Sequence, residues 1–507
     1  MPGTDETVAQ WLARYGAEDA DVAGLLCDGH APDAVAFTFV APDLTATSMT
    51  YGELADRSRR LAGGLAALGV ERGDRVPVLM GKRPELVLTL LAIWRLGAVH
   101  VPLFTAFATG AVRMRVESSG AKLVVTEPGQ RSKVDPIAGI TVLETGPGFD
   151  ALLAGEPAAG SVPVGGDGTF VQLYTSGTTG TPKGVPVPVR ALAAFHCYLH
   201  YGLDVGSEDV YWNAADPGWA YGLYYAVIAP LAAGRAGLLV DAGFAPETTA
   251  EVVRRFGVTN FAGAPTMYRA MGHAGVSGLA LRRASAAGEP LPPDVVAWGR
   301  TALGTPVRDH YGQTELGMVI GNHWHPDVVE EIADGSMGRP LPGFTTAVVD
   351  GQIAVATDSP LLWFTGYDQA PERTAERFSP DGGWYFTADT GRVDAEGRFY
   401  FTARDDDVIL AAGYRIGPFD VESVLITHPA VVDVAVVGRP DPEGIRGEVV
   451  EAFVVADGGG NAALARELQD LVRDTYSKHA YPRTVHFVDA LPKTPSGKIQ
   501  RYLLRQR

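Results

Sequence analysis

The chain has 507 residues, 46% hydrophobic and 20% charged, which suits a globular protein with a large body and at least one further domain. Its 42 lysines and arginines face 59 aspartates and glutamates, and the resulting net charge of −17 disfavours nucleic acid or an anionic membrane as the main partner. Any anionic ligand therefore needs a site that locally opposes the field of the whole molecule.

Cys27 and Cys197 lie far apart without metal-ligand spacing and read as packing residues of a protein in a reducing cytoplasm. The acidic start, MPGTDETVAQ, has no apolar signal region, and the end, LLRQR, carries no peroxisomal or prenylation address. The most apolar stretch, LVLTLLAIWRLGAVHVPLF, is interrupted by Arg95 and Gly97 and is expected to be a buried helix running into a strand rather than a membrane span.

In chain order, Thr50 stands three residues before Glu53 as a capping box, and Leu54, Leu61, Leu65 and Leu68 follow at helical spacing. DRVPVLM is a predicted strand, a helix from about Pro84 to Leu96 comes next, and AVHVPL is a second strand, the proportions of a parallel crossover unit. KLVVT, AGLLV, VTNFAGA and PVRDHYG repeat the pattern. GQIAVAT and GGWYFTADTGRVDAEGRFYFTAR alternate like a β-meander. The expected fold class is α/β: residues 1–404 form a large N-terminal domain of layered sheets with flanking helices, closed by the meander. Residues 405–507, including the helical stretch NAALARELQDLVRDTYSKH, form a small α+β domain, with Asp405 to Asp407 at the boundary.

The stretch YTSGTTGTPKGV, residues 174–185, gathers hydroxyls and glycines around Lys183. Backbone N–H groups and hydroxyls converging on one point suit phosphate oxygens, although a flexible surface loop has the same composition. A P-loop is excluded, because Pro182 precedes Lys183 and Gly184 follows it. HYGQTELG (310–317), YFTADTG (385–391), RDDDVILAAGYRIG (404–417) and PKTPSGKIQR (492–501) then follow in order. With these five motifs the chain resembles the adenylate-forming acyl-CoA synthetases along essentially its whole length. ADPGWAYGLYYAVIAPLAAG and GYRIGPFDVES resemble the acetyl-CoA and medium-chain acyl-CoA synthetase branch most.

The resemblance implies an ATP-dependent ligase that makes an acyl-adenylate and then an acyl-CoA thioester, with ATP, Mg²⁺ and coenzyme A. It implies that Thr175, Ser176, Gly177, Thr178, Thr179 and Lys183 cradle the β and γ phosphates, that Glu315 is the Mg²⁺-associated carboxylate and that Thr314 contacts the α-phosphate. Gly288, Glu289 and Pro290 lie against adenine, with Asp309, His310 and Tyr311 on its opposite side and Gly312 and Gln313 completing the nucleotide-binding run. Asp389 takes the ribose hydroxyls, backed by Arg404. Lys498 bridges carboxylate and α-phosphate oxygens during adenylation, and the small domain then rotates about Asp406. Gly413 lines the pantetheine channel, while Arg415, Arg446, Arg473 and Tyr481 match positions that hold the CoA nucleotide.

For the acid, the resemblance implies a wall of Trp219, Ala220, Tyr221, Gly222 and Ala287. The acetyl-specific branch closes this pocket with a tryptophan where this chain has Gly312, so room remains for a short- to medium-chain or aryl acid. Ala403 stands where the family usually has glycine and Leu410 where it commonly has asparagine, departures at the nucleotide contact and beside the hinge. A second expectation keeps adenylation but hands the acid to a carrier protein, an amine or another small nucleophile. A monomer or small homo-oligomer acting on small molecules, without nucleic acid or membrane, is expected.

Overall fold

The computed structural model describes residues 3–175, 183–404, 407–411, 414–441, 448–476, 479–493 and 499–507. The capping box forms as its spacing predicts: Glu53 N donates to Thr50 Oγ1 at 3.2 Å, and Thr50 N donates to Glu53 Oε2 at 2.8 Å. These bonds start the helix Tyr51–Ala67. Pro84 opens the next helix, Pro84–Arg95, which is buried all round from Leu86 onward and leads into the strand Val99–Leu103. A helix apolar on every face belongs between layers. Here Trp94 fixes one contact, donating from Nε1 to Phe170 O at 2.9 Å.

Two large sheets build the N-terminal part. One has six strands in the order Thr141–Glu144, Leu123–Thr126, Arg75–Leu79, Val99–Leu103, Thr169–Thr175 and Lys183–Pro188, parallel except for the last pair. The other has nine strands. Its parallel centre runs Val307–Gln313, Arg283–Ala287, Asn260–Gly263, Tyr211–Asn213, Gly237–Val240 and Val35–Val40, with antiparallel strands at both ends. The predicted meander is a four-stranded antiparallel sheet, Thr346–Val349, Gln352–Ala356, Trp384–Val393 and Phe399–Arg404. Among the described residues no helix is long and apolar enough to cross a membrane.

The phosphate-loop stretch differs from a plain loop at its flanks. Thr175 lies opposite Lys183 and Tyr174 opposite Gly184 in an antiparallel ladder, so the strands reach both ends of the segment 176–182, which lies outside the described residues. Gly184 is required by close approach, since a Cβ there would sit 2.8 Å from Gln172 Nε2.

The small C-terminal domain contains a three-stranded sheet, Val431–Pro440, Glu448–Ala456 and Thr484–Phe487, packed with the helices Pro418–Leu425 and Ala462–Thr475. Asn461 caps the second helix, accepting from Ala463 N and Leu464 N at 2.9 Å each. Among the described residues its core, including Ile409, Val421, Val436, Ala452 and Leu468, draws on no buried residue before Ile409. The helix Pro418–Leu425 meets the meander at the strand Phe399–Arg404. Phe401 and Phe419 lie there with ring centroids 6.3 Å apart.

Candidate active site

The parallel strands Asn260–Gly263 and Arg283–Ala287 have their carboxyl ends beside Asp309 and His310, and the strand Val307–Gln313 runs on past them at the edge where open α/β sheets bind ligands. Alternation sends its side chains to opposite faces. On one face Tyr311 Oη donates to Asp389 Oδ2 at 2.5 Å, and Gln313 Nε2 donates to the same oxygen at 2.7 Å. Gln313 is itself fixed, since its Nε2 also donates to Thr387 O at 2.8 Å and its Oε1 accepts from Tyr385 Oη at 3.1 Å. Asp389, only 6% exposed, is thus aimed by Tyr311 and Gln313, and its backbone lies opposite that of Arg404.

His310 turns the other way. It is buried, its Nδ1 lies 2.6 Å from Tyr198 Oη, and Tyr198 Oη lies 3.1 Å from Tyr221 Oη. The expected grouping of Asp309, His310 and Tyr311 around adenine is therefore divided: His310 joins the wall that contains Tyr221. Asp309 is buried, and burial pushes its carboxyl up to about 8 against the backbone N–H groups of Leu291 and His310. Sequence reasoning missed this split because alternation gives two faces without saying which one meets the ligand.

The turn after the strand carries Thr314 and Glu315. Tyr224 Oη donates to Thr314 O at 3.0 Å, and Trp363 Nε1 donates to Leu316 O at 3.0 Å, which pins the turn from two sides. Glu315 is buried and its Oε1 accepts from Tyr367 Oη at 2.8 Å, while Arg377 Nε donates to the same hydroxyl at 3.0 Å. Burial and Glu315 together raise the Tyr367 phenol, so its proton stays in place between the carboxylate and the guanidinium. Lys183 Nζ stands 4.9 Å from the centroid of the Tyr367 ring. Burial, then Arg377 and Arg373, hold the Lys183 ammonium below the usual lysine range. This cationic group is the local reversal of field that an acidic chain needs for an anion. Tyr367, Arg373 and Arg377 escaped the sequence reading. The i,i+4 spacing of the two arginines was a visible signal, but nothing local linked it to Lys183.

Gly288 has φ +96° with open space at its Cβ position, a conformation suited to glycine. Beside it the Glu289 carboxylate is engaged by the helix Pro265–His273, accepting from Thr266 Oγ1 at 2.6 Å and lying 3.8 Å from Arg269. Pro290 follows in the same loop and is half-buried, and Ala287 ends the preceding strand, buried.

Residues 27–358 match the AMP-binding enzyme family, and residues 420–498 match the AMP-binding enzyme C-terminal domain. The chain belongs to the AMP-binding enzyme family. An acetyl-coenzyme A synthetase of Bacillus subtilis (strain 168) is 36% identical over 495 residues, covering 90% of this chain and 84% of the relative. A Brucella canis acyl-CoA synthetase is 42% identical, with a TM-score of 0.77 and coverage of 100% of this chain and 99% of that one. MatB from Rhodopseudomonas palustris, covering 96% of this chain and 98% of its own, gives a TM-score of 0.83 in its ATP-bound form at 29% identity and 0.74 in its apo form at 28%. With its relatives, this member of the family is an AMP-forming acid–CoA ligase that works by adenylate formation.

The ligase's expected acyl wall is only partly assembled as the sequence implied. Tyr221 packs with Tyr198 and Tyr225, whereas Trp219 sits against Phe104 and Phe107, centroids 5.5 and 5.1 Å away, in a different apolar cluster. Ala220 opens the short helix Ala220–Gly222, and Gly222 is fixed by backbone, because a Cβ there would lie 2.1 Å from Asp216 O. Gly312 is likewise a backbone requirement. Its Cβ would meet Gly317 O at 2.0 Å, so in this hairpin a side chain requires the backbone at Gly317 to shift as well.

Among the residues expected at CoA, Arg473 is held on its own helix by Asp470 at 2.6 Å and Asp474 at 3.2 Å. The Tyr481 ring carries the Arg483 guanidinium 4.0 Å from its centroid, and Arg483 donates to its hydroxyl. Both side chains therefore have neighbours within the small domain where a nucleotide was expected. Ser176, Gly177, Thr178, Thr179, Asp406, Gly413, Arg446 and Lys498 lie outside the described residues. Arg404 and Arg415 are placed through their backbones on the strands Phe399–Arg404 and Tyr414–Ile416.

Proposed function

We propose that this ligase activates a short- to medium-chain or aryl carboxylic acid, seating the nucleotide on the Tyr311 face of the strand Val307–Gln313 and the acid on its His310 face. The carrying observation is the joint placement of Asp389 under Tyr311 and Gln313, and of Glu315 under Tyr367 beside Lys183 and Arg377. One carboxylate group suits ribose hydroxyl donors, and the cationic group suits the polyphosphate.

In the first step a carboxylate oxygen of the acid attacks the α-phosphorus, and the bond from that phosphorus to the bridging oxygen of the leaving group breaks, so pyrophosphate departs with the electron pair. Both partners are anions, so rate depends on positioning and on fixed positive charge. Lys183, with Thr175 and residues 176–179, holds the departing phosphates, Thr314 meets the α-phosphate, and Lys498 bridges the reacting oxygens. Glu315 fits Mg²⁺ as a single carboxylate ligand: one of its oxygens takes Tyr367, and a hard cation that keeps water and phosphate oxygens needs few protein donors. Among the described residues no cluster of three such ligands gathers elsewhere. The ion would neutralise phosphate charge there. In the second step the CoA sulfur attacks the acyl carbonyl, its thiol proton is lost, and the bond to the adenylate oxygen breaks to release AMP.

One lysine cannot occupy the thiol's approach during both steps, so the small domain, residues 405–507, pivots against residues 1–404. Support comes from Asp407, whose carboxylate is held inside the small domain by Arg505 at 2.6 Å and Arg501 at 3.4 Å. A pivot just before it, at Asp406, leaves those bonds intact. The better superposition on the ATP-bound than on the apo form of one relative supports an arrangement suited to adenylation. The separate core before and after residue 405 and the two buried free cysteines fit a two-unit cytoplasmic enzyme.

ATP–pyrophosphate exchange across a panel of carboxylic acids tests the substrate class: exchange with medium-chain or aryl acids exceeding that with acetate by about tenfold or more is expected. Exchange confined to acetate would refute it. AMP release measured with and without CoA separates transfer to CoA from transfer to a carrier protein or an amine.

A further inference from the structure

The hydrogen bonds behind the proposed acyl wall have a fixed direction, which can be followed from the core outward. Asn322 O, a carbonyl, can only accept, and it lies 3.2 Å from His310 Nε2, so that nitrogen carries the ring hydrogen. Burial pushes the His310 imidazolium down to about 3, with His323 and Arg308 adding to the effect, so the ring is neutral and Nδ1 offers a lone pair. Tyr198 Oη, 2.6 Å away, must donate to it. Tyr198 has one hydroxyl proton, which that bond uses. The 3.1 Å contact between Tyr198 and Tyr221 therefore takes the proton of Tyr221.

Tyr221 ends this chain: Tyr198 and His310 are each 1% exposed, whereas Tyr221 keeps part of its surface exposed although its hydroxyl is enclosed by protein. The neighbouring tyrosines direct their protons inward, Tyr211 to Tyr225 O at 2.8 Å, Tyr268 to Ser285 O at 2.9 Å and Tyr224 to Thr314 O at 3.0 Å. Desolvating a hydroxyl oxygen without replacing its hydrogen bonds is costly, so an acid that supplies a donor is favoured over one that supplies only lone pairs.

We propose that Tyr221 is a specificity-determining residue that presents an acceptor and no donor to the acid, so that the enzyme selects a carboxylic acid whose body carries an O–H or N–H group. This rests on the reading of the His310 face as the acid's side of the site. The direction of selection comes from the relay rather than from the tyrosine alone, because an isolated Tyr hydroxyl serves donors and acceptors equally.

The test uses the full-length enzyme, ATP–pyrophosphate exchange and acids matched in shape: hydroxy, oxo and unsubstituted aliphatic acids, and hydroxy, fluoro and unsubstituted benzoates, with the substituent moved along the chain or ring. At the position that reaches Tyr221, kcat/KM for the hydroxy acid is expected to exceed that for its oxo or fluoro partner by about tenfold. Tyr221→Phe should bring that ratio to about one. Tyr198→Phe, which releases the Tyr221 proton to point outward, should raise the oxo acid toward the hydroxy acid; a merely structural role for Tyr198 would lower both equally. Exchange with the unsubstituted acids but no hydroxy preference at any position overturns this inference alone, as does a preference that survives Tyr221→Phe. Should Tyr221→Phe fail to fold, the Tyr198→Phe ratio decides. No exchange with any acid overturns the proposed substrate class and this inference together.

Discussion

The two parts of the molecule prepare for catalysis in different ways. In the large part, Asp389 and Glu315 are already buried and aimed, each held by tyrosines or an amide from another element. The small domain has a core of its own, and its described contact with the meander runs through one short helix. Charged groups fixed by a packed sheet lose little on meeting the transition state, whereas a group brought in by a separate body can be present for one step and absent for the next. What the difference teaches is that the fixed groups should serve both chemical steps and the carried groups only one.

The largest effect that would sharpen this contrast is expected from Lys498→Ala. It should lower ATP–pyrophosphate exchange by about a thousandfold while thioester formation from supplied acyl-AMP stays within a few-fold of wild type. Equal loss in both assays would break the contrast. Gly413→Leu is its mirror, expected to slow thioester formation about a hundredfold through displacement of the incoming thiol while exchange persists. Acyl-CoA production at the normal rate would show that the thiol enters elsewhere.

Among the fixed groups, Tyr367→Phe removes the hydroxyl that joins Glu315 to Arg377, and exchange should fall about tenfold, from a single lost charge-assisted hydrogen bond. An unchanged rate and unchanged KM for ATP would show that this link has no part in nucleotide use. The remaining effect is on stability rather than rate. Asp309 titrates near 8 in the folded chain, against an ordinary value of 3.8, so the folded form keeps a proton that the unfolded chain has lost. Its stabilising contribution is complete below the unfolded value and is lost as pH rises through the folded one, at a slope of at most about 1.4 kcal/mol per pH unit. Thermal unfolding of wild type from pH 4 to 8 should therefore decline relative to Asp309→Asn, and parallel curves would remove the buried acid from the account.

Much of the fold was legible because local rules and packing agree. The capping box at Thr50, the wholly apolar helix from Pro84 and the alternation of the meander all appear where their patterns place them. The residues that meet around Asp389 and Glu315 were legible as members of an ordered set of motifs. What was not legible depends on approach in three dimensions: which face His310 takes, which cluster Trp219 enters, and how Tyr367 and Arg377 arrive beside Lys183 from nearly 200 residues away. The composition of residues 174–185 suits a loop throughout, yet both ends of the stretch are strand, with Thr175 and Lys183 as register partners.

Gly312 carries a lesson about how such an enzyme changes its diet. With a neighbouring carbonyl 2.0 Å from where its first side-chain atom would stand, the position is closed to gradual enlargement, residue by residue. A ring at this position, such as the tryptophan of the acetyl-specific branch, calls for a different spacing of the two strands from the one this chain has. On the proposed reading of the acid's side, change is easier at Tyr221, where a single hydroxyl can be exchanged without moving the backbone.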